Sequence, residues 1–137
     1  MNETEDQEYP KYAIDLDWHR QKGRSLSVLF RSRIRLMGGD DLERKLEGKD
    51  EKAILASLRG RQSSHPDFIP PDLPILEAIF RVYLQEGNQP LSPVDLKDRL
   101  MTCWSDVGAY KDVEPPILKR LLDHDQYYGI RQVSPQE

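Results

Sequence analysis

Six cations and no acid lie between residues 18 and 39: Arg20, Lys22, Arg24, Arg31, Arg33 and Arg35. A segment of that sign is what a phosphodiester backbone attracts, because each phosphate contact releases condensed counterions. A second set sits near the carboxyl end, where Lys119, Arg120 and His124 are followed by Tyr127, Tyr128 and Arg131. These side chains offer donors for phosphates and base edges, and rings that can stack on bases. Glu114, Asp123 and Asp125 are interleaved with them, so that face is close to neutral. The candidate nucleic-acid-binding residues are Arg31, Arg33, Arg35, Lys119, Arg120, His124, Tyr127 and Arg131. The plainer reading of the arginine row carries more weight: a solvated helix face, or partners for an acidic C-terminal domain.

Other chemistry is thinly supplied. Cys103 stands between Thr102 and Trp104 on the apolar side of an expected helix, where a free cysteine acts as a small buried hydrophobe. A nucleophile would need an adjacent base, and the sequence places none there. His19, His65 and His124 are scattered, and no CxxC or HxxxH pair offers the close spacing of a structural zinc site. Asp15 with Asp17, and Asp40 with Asp41, read better as caps and turns than as acid–base or metal pairs. Gly38-Gly39 lacks the flanking pattern of a phosphate loop. The expectation is a protein that is not an enzyme, with no cofactor, metal or small-molecule substrate.

The composition sets the frame for these residues. The chain has 137 residues, with 37% hydrophobic, 32% charged and a net charge of −4. That is polar for a globular protein but well short of a disordered composition. Residues 67–137 carry seven Lys or Arg against twelve Asp or Glu, a local −5, which excludes a uniformly basic nucleic-acid binder. A basic segment attached to an acidic domain remains. No apolar run approaches the ~20 residues of a membrane span. The opening "MNETEDQEYP" has no apolar signal core. A single cysteine cannot close an internal disulfide, so a reducing, cytoplasmic setting is expected.

The elements that must position the candidate residues follow from spacing. Residues 1–10 read as a disordered acidic tail. "KYAIDLDW" alternates with Tyr12, Ile14, Leu16 and Trp18 on one side, as a short strand would; equally, Asp17 could cap a short helix stopped at Gly23. Ser25 then caps a helix with Leu26, Leu29, Phe30, Ile34 and Met37 on one face, ending at Gly38-Gly39. Asp40 or Asp41 caps a further piece with Leu42 and Leu46; after Gly48 a helix resumes with Ile54, Leu55 and Leu58 and stops at Gly60. This helical unit spans 11–60. Residues 61–73 form a proline-rich connector, with Phe68 and Ile69 pinned to a surface.

Residues 74–133 are patterned most strongly. Pro74 opens a helix with Leu76, Ile79, Phe80, Tyr83 and Leu84 on one face, closed by Gly87-Asn88. Ser92 and Pro93 then cap and start a second helix, with Asp95 in its first turn and Leu96, Leu100, Cys103 and Trp104 on its inner face. Leu91 lies in the turn and plugs the junction. After the loop "SDVGAYKDVEPP", a third helix carries Ile117, Leu118, Leu121 and Leu122, and "YYGIRQV" reads as a strand. The joint of about five residues suits a steep crossing between the first two helices.

"GNQPLSPVDLKDRL" followed by "PPILKRLLDHDQYYGIRQV" resembles the winged helix-turn-helix family, in particular the helix-turn-helix modules of transcription-associated proteins of the HARE-HTH type. The resemblance covers roughly residues 74–133. It implies a mostly α fold: a small N-terminal helical unit plus a C-terminal winged helix-turn-helix with a short β wing. It also implies that the third helix is the recognition element. A full wing needs two antiparallel strands and only one follows the third helix, so either the wing is short or that strand pairs with "YAIDLDW" or with the loop before Glu114. The function expected is non-enzymatic recognition of DNA or RNA. The alternative is an adaptor that grips another protein or a second copy of the chain.

Overall fold

The computed structural model describes residues 9–23, 25–58, 68–104 and 113–133, and for residues 37–40 the backbone alone. The expectations for the acidic tail before Tyr9, the stop at Gly60, the side chain of Met37, the loop 105–112 and most of the connector lie outside the described residues. The element order is β1 (Tyr12–Ile14), α1 (Leu16–Gln21), α2 (Leu26–Leu46), α3 (Glu51–Leu58), α4 (Ile75–Gln85), α5 (Pro93–Trp104), α6 (Pro115–Asp123) and β2 (Ile130–Gln132). The fold is mostly helical, with one two-stranded antiparallel sheet.

Both readings of "YAIDLDW" hold in part. The strand covers Tyr12–Ile14, and a helix follows at Leu16. Its cap is Asp15, not Asp17: the Asp15 carboxylate accepts the backbone N–H groups of Asp17 and Trp18 at 3.0 and 3.2 Å. β1 runs antiparallel to β2, with Tyr12 opposite Gln132, Ala13 opposite Arg131 and Ile14 opposite Ile130. The terminal strand thus takes its partner from the N-terminal segment. Tyr12, Ile14 and Ile130 turn inward and are buried.

The corner between α4 and α5 explains the local sequence. Helix α4 closes with Gly87 and Asn88 both at positive φ, 70° and 66°. The Asn88 N–H bonds to the Tyr83 carbonyl at 2.7 Å and the Gly87 N–H to that of Leu84 at 3.4 Å, the paired bonds of a Schellman turn. The Asn88 side chain then acts as a strand neighbour, accepting from the Ile14 N–H at 2.8 Å and donating to the Ile14 carbonyl at 3.0 Å. Leu91 exchanges two backbone bonds with Tyr12, at 2.8 and 3.0 Å, and its side chain is buried. Ser92 and Asp95 cap α5 reciprocally, each side chain accepting the other's backbone N–H at 3.0–3.1 Å.

Helix α2 corrects one expectation. It does not end at Gly38-Gly39 but continues to Leu46, so Asp40 and Asp41 lie within the helix and cap nothing. It is not straight, however. Arg31 Nε lies 3.8 Å from Glu43 Oε2, although twelve residues advance a straight helix by about 18 Å, more than two side chains reach. The helix therefore bends between Arg31 and Glu43, an interval that holds the two glycines, where bends are expected. The bend also resolves the apolar spacing. Leu26, Phe30, Ile34, Leu42 and Leu46 drift around a straight axis, yet all five are buried.

The core is one cluster in which Phe30 of α2, Leu58 of α3, Phe80 of α4, Leu100 of α5, Leu118 and Leu122 of α6 and Ile130 of β2 are all essentially inaccessible. Phe68 and Ile69 are buried with them, and the Trp104 indole donates to the Ile69 carbonyl at 3.0 Å. Cys103 departs from expectation: it is exposed, because the face of α5 defined by Leu96, Leu100 and Trp104 turns it outward. Among the described residues, no helix is long and apolar enough to cross a membrane.

Candidate nucleic-acid interface

The arginine row splits into two environments. Arg33 points into the protein: its Nε donates to Glu77 Oε2 at 3.0 Å and Nη2 to Glu77 Oε1 at 2.7 Å, with its guanidinium over the Phe80 ring. Glu77 also receives Arg81 Nε at 2.9 Å and the Tyr128 hydroxyl at 2.7 Å. Burial alone would raise the Glu77 carboxyl; the hydrogen bonds from Arg33, Tyr128 and Arg81 outweigh it and bring it down to about 2. Arg81 is itself anchored, donating to the Phe68 carbonyl at 2.8 Å. Arg33 is therefore a cross-brace between α2, α4 and the terminal segment.

Arg31 and Arg35 stand two residues to either side of Arg33, a rotation of about 200° on a helix. They accordingly face away from Glu77. Both side chains are 63% exposed and lean on Glu43, Arg35 at 2.8 Å and Arg31 at 3.8 Å. Arg31 lines a surface concavity of about 390 Å³ with Ser27, Ile34, Glu43, Arg44 and Lys49. The arginine row thus meets the C-terminal helices through Arg33, which is largely buried against Glu77 of α4, while Arg31 and Arg35 turn elsewhere.

Helix α6 owes its start to Glu114 followed by Pro115 and Pro116. Leu118 and Leu122 seat it, leaving Arg120 and His124 exposed one turn apart. His124 is fixed by its Nδ1, 2.8 Å from the Arg120 carbonyl. Lys119 is largely neutralised by Asp123, 2.7 Å away, and the Tyr12 hydroxyl donates to the same carboxylate. Burial pulls the Asp123 carboxyl up, but the bonds from Lys119 and Tyr12 outweigh it and hold it below the usual carboxylate range.

Beyond the helix, Asp125 is buried and accepts three backbone N–H groups, those of Tyr127, Tyr128 and Ile130, at 2.9–3.0 Å. That cage turns the chain into β2. It leaves Tyr127 exposed, edge-on to Tyr128, and Tyr128 packed on Phe80. Arg131 lies with its guanidinium 5.0 Å from the Trp18 ring.

Of the eight candidate residues, Arg120, His124, Tyr127 and Arg131 thus lie on or just after α6, Lys119 is there but paired, and Arg31, Arg33 and Arg35 occupy another helix, Arg33 committed to Glu77. Glu77 and Asp125 organise the region and were not singled out by spacing. The Glu77–Arg81 interval of four residues on α4 was the available signal for the first. Asp125, ahead of "QYYG", was the signal for the second. His19 is buried, with Nε2 2.6 Å from the Tyr128 carbonyl, which makes it a tie between α1 and the same turn. No protein family, curated protein or solved structure matches the chain.

Proposed function

We propose that the chain is a non-enzymatic recognition module of winged helix-turn-helix type that binds nucleic acid with the outer side of α6 and the residues after it. The observation that carries this reading is the division of α6: Leu118 and Leu122 are wholly buried, while Arg120, His124 and the following Tyr127 face solvent. The tight α4–α5 corner and the bridge from Leu91 to β1 and on to β2 support the same architecture. In this reading β1, paired with β2, serves as the returning wing strand, and one strand after α6 is enough. The roles are specific. Arg120 and Arg131 supply charge and forked donors, His124 a ring Nε2 that accepts because Nδ1 donates to the Arg120 carbonyl, and Tyr127 an exposed ring.

The test is a titration of labelled duplex DNA and single-stranded RNA at two ionic strengths. Binding that weakens steeply with salt, and weakens further in Arg120→Gln, is the expected result. No binding at low salt would remove this reading. A second reading, an adaptor for a protein or a second copy, draws on the pairing of Lys119 with Asp123 and on the exposure of Tyr127 and Val133. Light scattering across a concentration series tests self-association.

A further inference from the structure

Most cations of the described residues are answered by a carboxylate. Arg20 pairs with Asp17, Arg31 and Arg35 with Glu43, Arg33 and Arg81 with Glu77, Arg99 with Glu86 and Lys97 with Glu114. Lys11, Lys22 and Arg131 belong to those with no such partner among the described residues, and the last two converge on one ring. Arg131 lies 5.0 Å and the Lys22 ammonium 5.5 Å from the Trp18 centroid. Lys11 continues the ribbon, its carbonyl accepting the Val133 N–H at 2.8 Å. In that register Lys11, Ala13, Arg131 and Val133 share the outer face, and Lys11 is the diagonal neighbour of Arg131.

We propose that Lys22 and Arg131, held at the Trp18 ring, and Lys11, beside Arg131 on the outer face of the ribbon, form a phosphodiester-binding patch, and that this patch provides the backbone grip instead of the arginine row of α2. The proposal rests on the nucleic-acid reading above, and adds residues of the N-terminal segment that lie outside the helix-turn-helix stretch. Trp18 serves here as a mount and not as a stacking platform, because cations already occupy its surroundings. Gly129 leaves room for the ring: a Cβ at that position would lie 2.7 Å from Trp18 and 2.5 Å from His19. Cations held against a ring have already lost part of their rotamer freedom, so less is lost when phosphate binds. The Nε of Arg131 is buried without a hydrogen-bond partner among the described residues, so no acceptor there draws that nitrogen inward. The nearby acids are engaged elsewhere: Asp15 caps α1 and Asp17 holds Arg20 at 2.6 Å.

The experiment uses the full chain and a fluorescein-labelled mixed-sequence duplex at about 50 and about 200 mM salt. Lys11→Gln/Lys22→Gln/Arg131→Gln is compared with Lys45→Gln/Lys49→Gln/Lys52→Gln, which removes the same charge from exposed positions of α2, α3 and the turn between them. Three phosphate contacts make up about 40-fold of the loss of affinity between those salts, a slope of about 2.7. The patch variant loses that component and the control keeps it. Arg131→Lys retains most of the binding, and thermal melts check that each variant is folded. Should Arg131→Gln unfold the chain, the double change at exposed Lys11 and Lys22 alone must still lower the slope by about 1.8.

Wild-type binding with equal losses in patch and control variants overturns the patch and leaves the α6 reading standing. No wild-type binding at low salt removes both. Phosphatidylserine vesicles form the second arm. Vesicle binding lost in the patch variant, with duplex binding intact, would assign these cations to a membrane surface and overturn the proposal.

Discussion

Arg33 and Glu77 meet side on through two parallel hydrogen bonds, 3.0 and 2.7 Å long, with only 15% and 10% of their side chains exposed. They join a helix of the N-terminal half to the first helix of the strongly patterned C-terminal region. Tyr128 and Arg81 complete the set.

Glu77→Gln is expected to destabilise the protein by about 3 kcal/mol, since it leaves Arg33 and Arg81 facing one another in a largely dry site. Arg33→Lys keeps the charge but loses the fork, and costs less than Arg33→Ala. Denaturant unfolding measures all three. A loss below about 1 kcal/mol for Glu77→Gln would show that the brace contributes only what exposed pairs do.

Acid should expose the same group. The Glu77 carboxyl sits at about 2, below its ordinary 4.5, so the folded state favours its charged form. Its contribution is complete above pH 4.5 and is lost as pH falls through about 2. Melting temperature followed from pH 6 down to about 2 should fall more steeply for the wild type than for Glu77→Gln. Parallel curves would contradict the assignment.

Asn88 carries two separable duties, a positive φ and a side chain that pairs with Ile14. Asn88→Gly keeps the first and loses the second; Asn88→Ala loses both. Stability should fall by about 1–2 kcal/mol in the glycine variant and further in the alanine variant. Amide exchange at Ile14 should quicken in both. Unchanged exchange there would mean that β1 is held by Leu91 and β2 alone.

Cys103 should react with a disulfide reagent in the native protein, because it is exposed on α5. Partial burial first, and then the charge of Glu86, push its thiol above the usual range. The rate should therefore keep climbing at pH values where an ordinary thiol has levelled off. A thiol that reacts only after unfolding would contradict the outward placement.

Much of the fold was legible where one residue type had one use. Ser92-Pro93, Gly87-Asn88 and the α4 stripe fixed their corner because each satisfies a local backbone requirement. The paired glycines at 38–39 misled: their weak helix propensity was overridden by the burial of Leu42 and Leu46 beyond the bend. Cys103 misled because periodicity puts it beside Trp104, while the width of the buried stripe is decided by what packs opposite. The arginine row was legible as charge but not as direction. Helical spacing separates Arg33 from Arg31 and Arg35, but only the tertiary placement of Glu77 decides which of them faces inward. Trp18 with Lys22 was a four-residue interval on a helix too short to stand out, and its meeting with Arg131 spans nearly the whole chain.

The most direct test of the recognition reading is a titration of isotope-labelled protein with a mixed-sequence duplex, followed by backbone amide shifts. The account predicts that Arg120, His124, Tyr127 and Arg131 move together and saturably, while Arg31, Arg33 and Arg35 stay in place. Shifts confined to α2 and α3, or none at low salt, would contradict it.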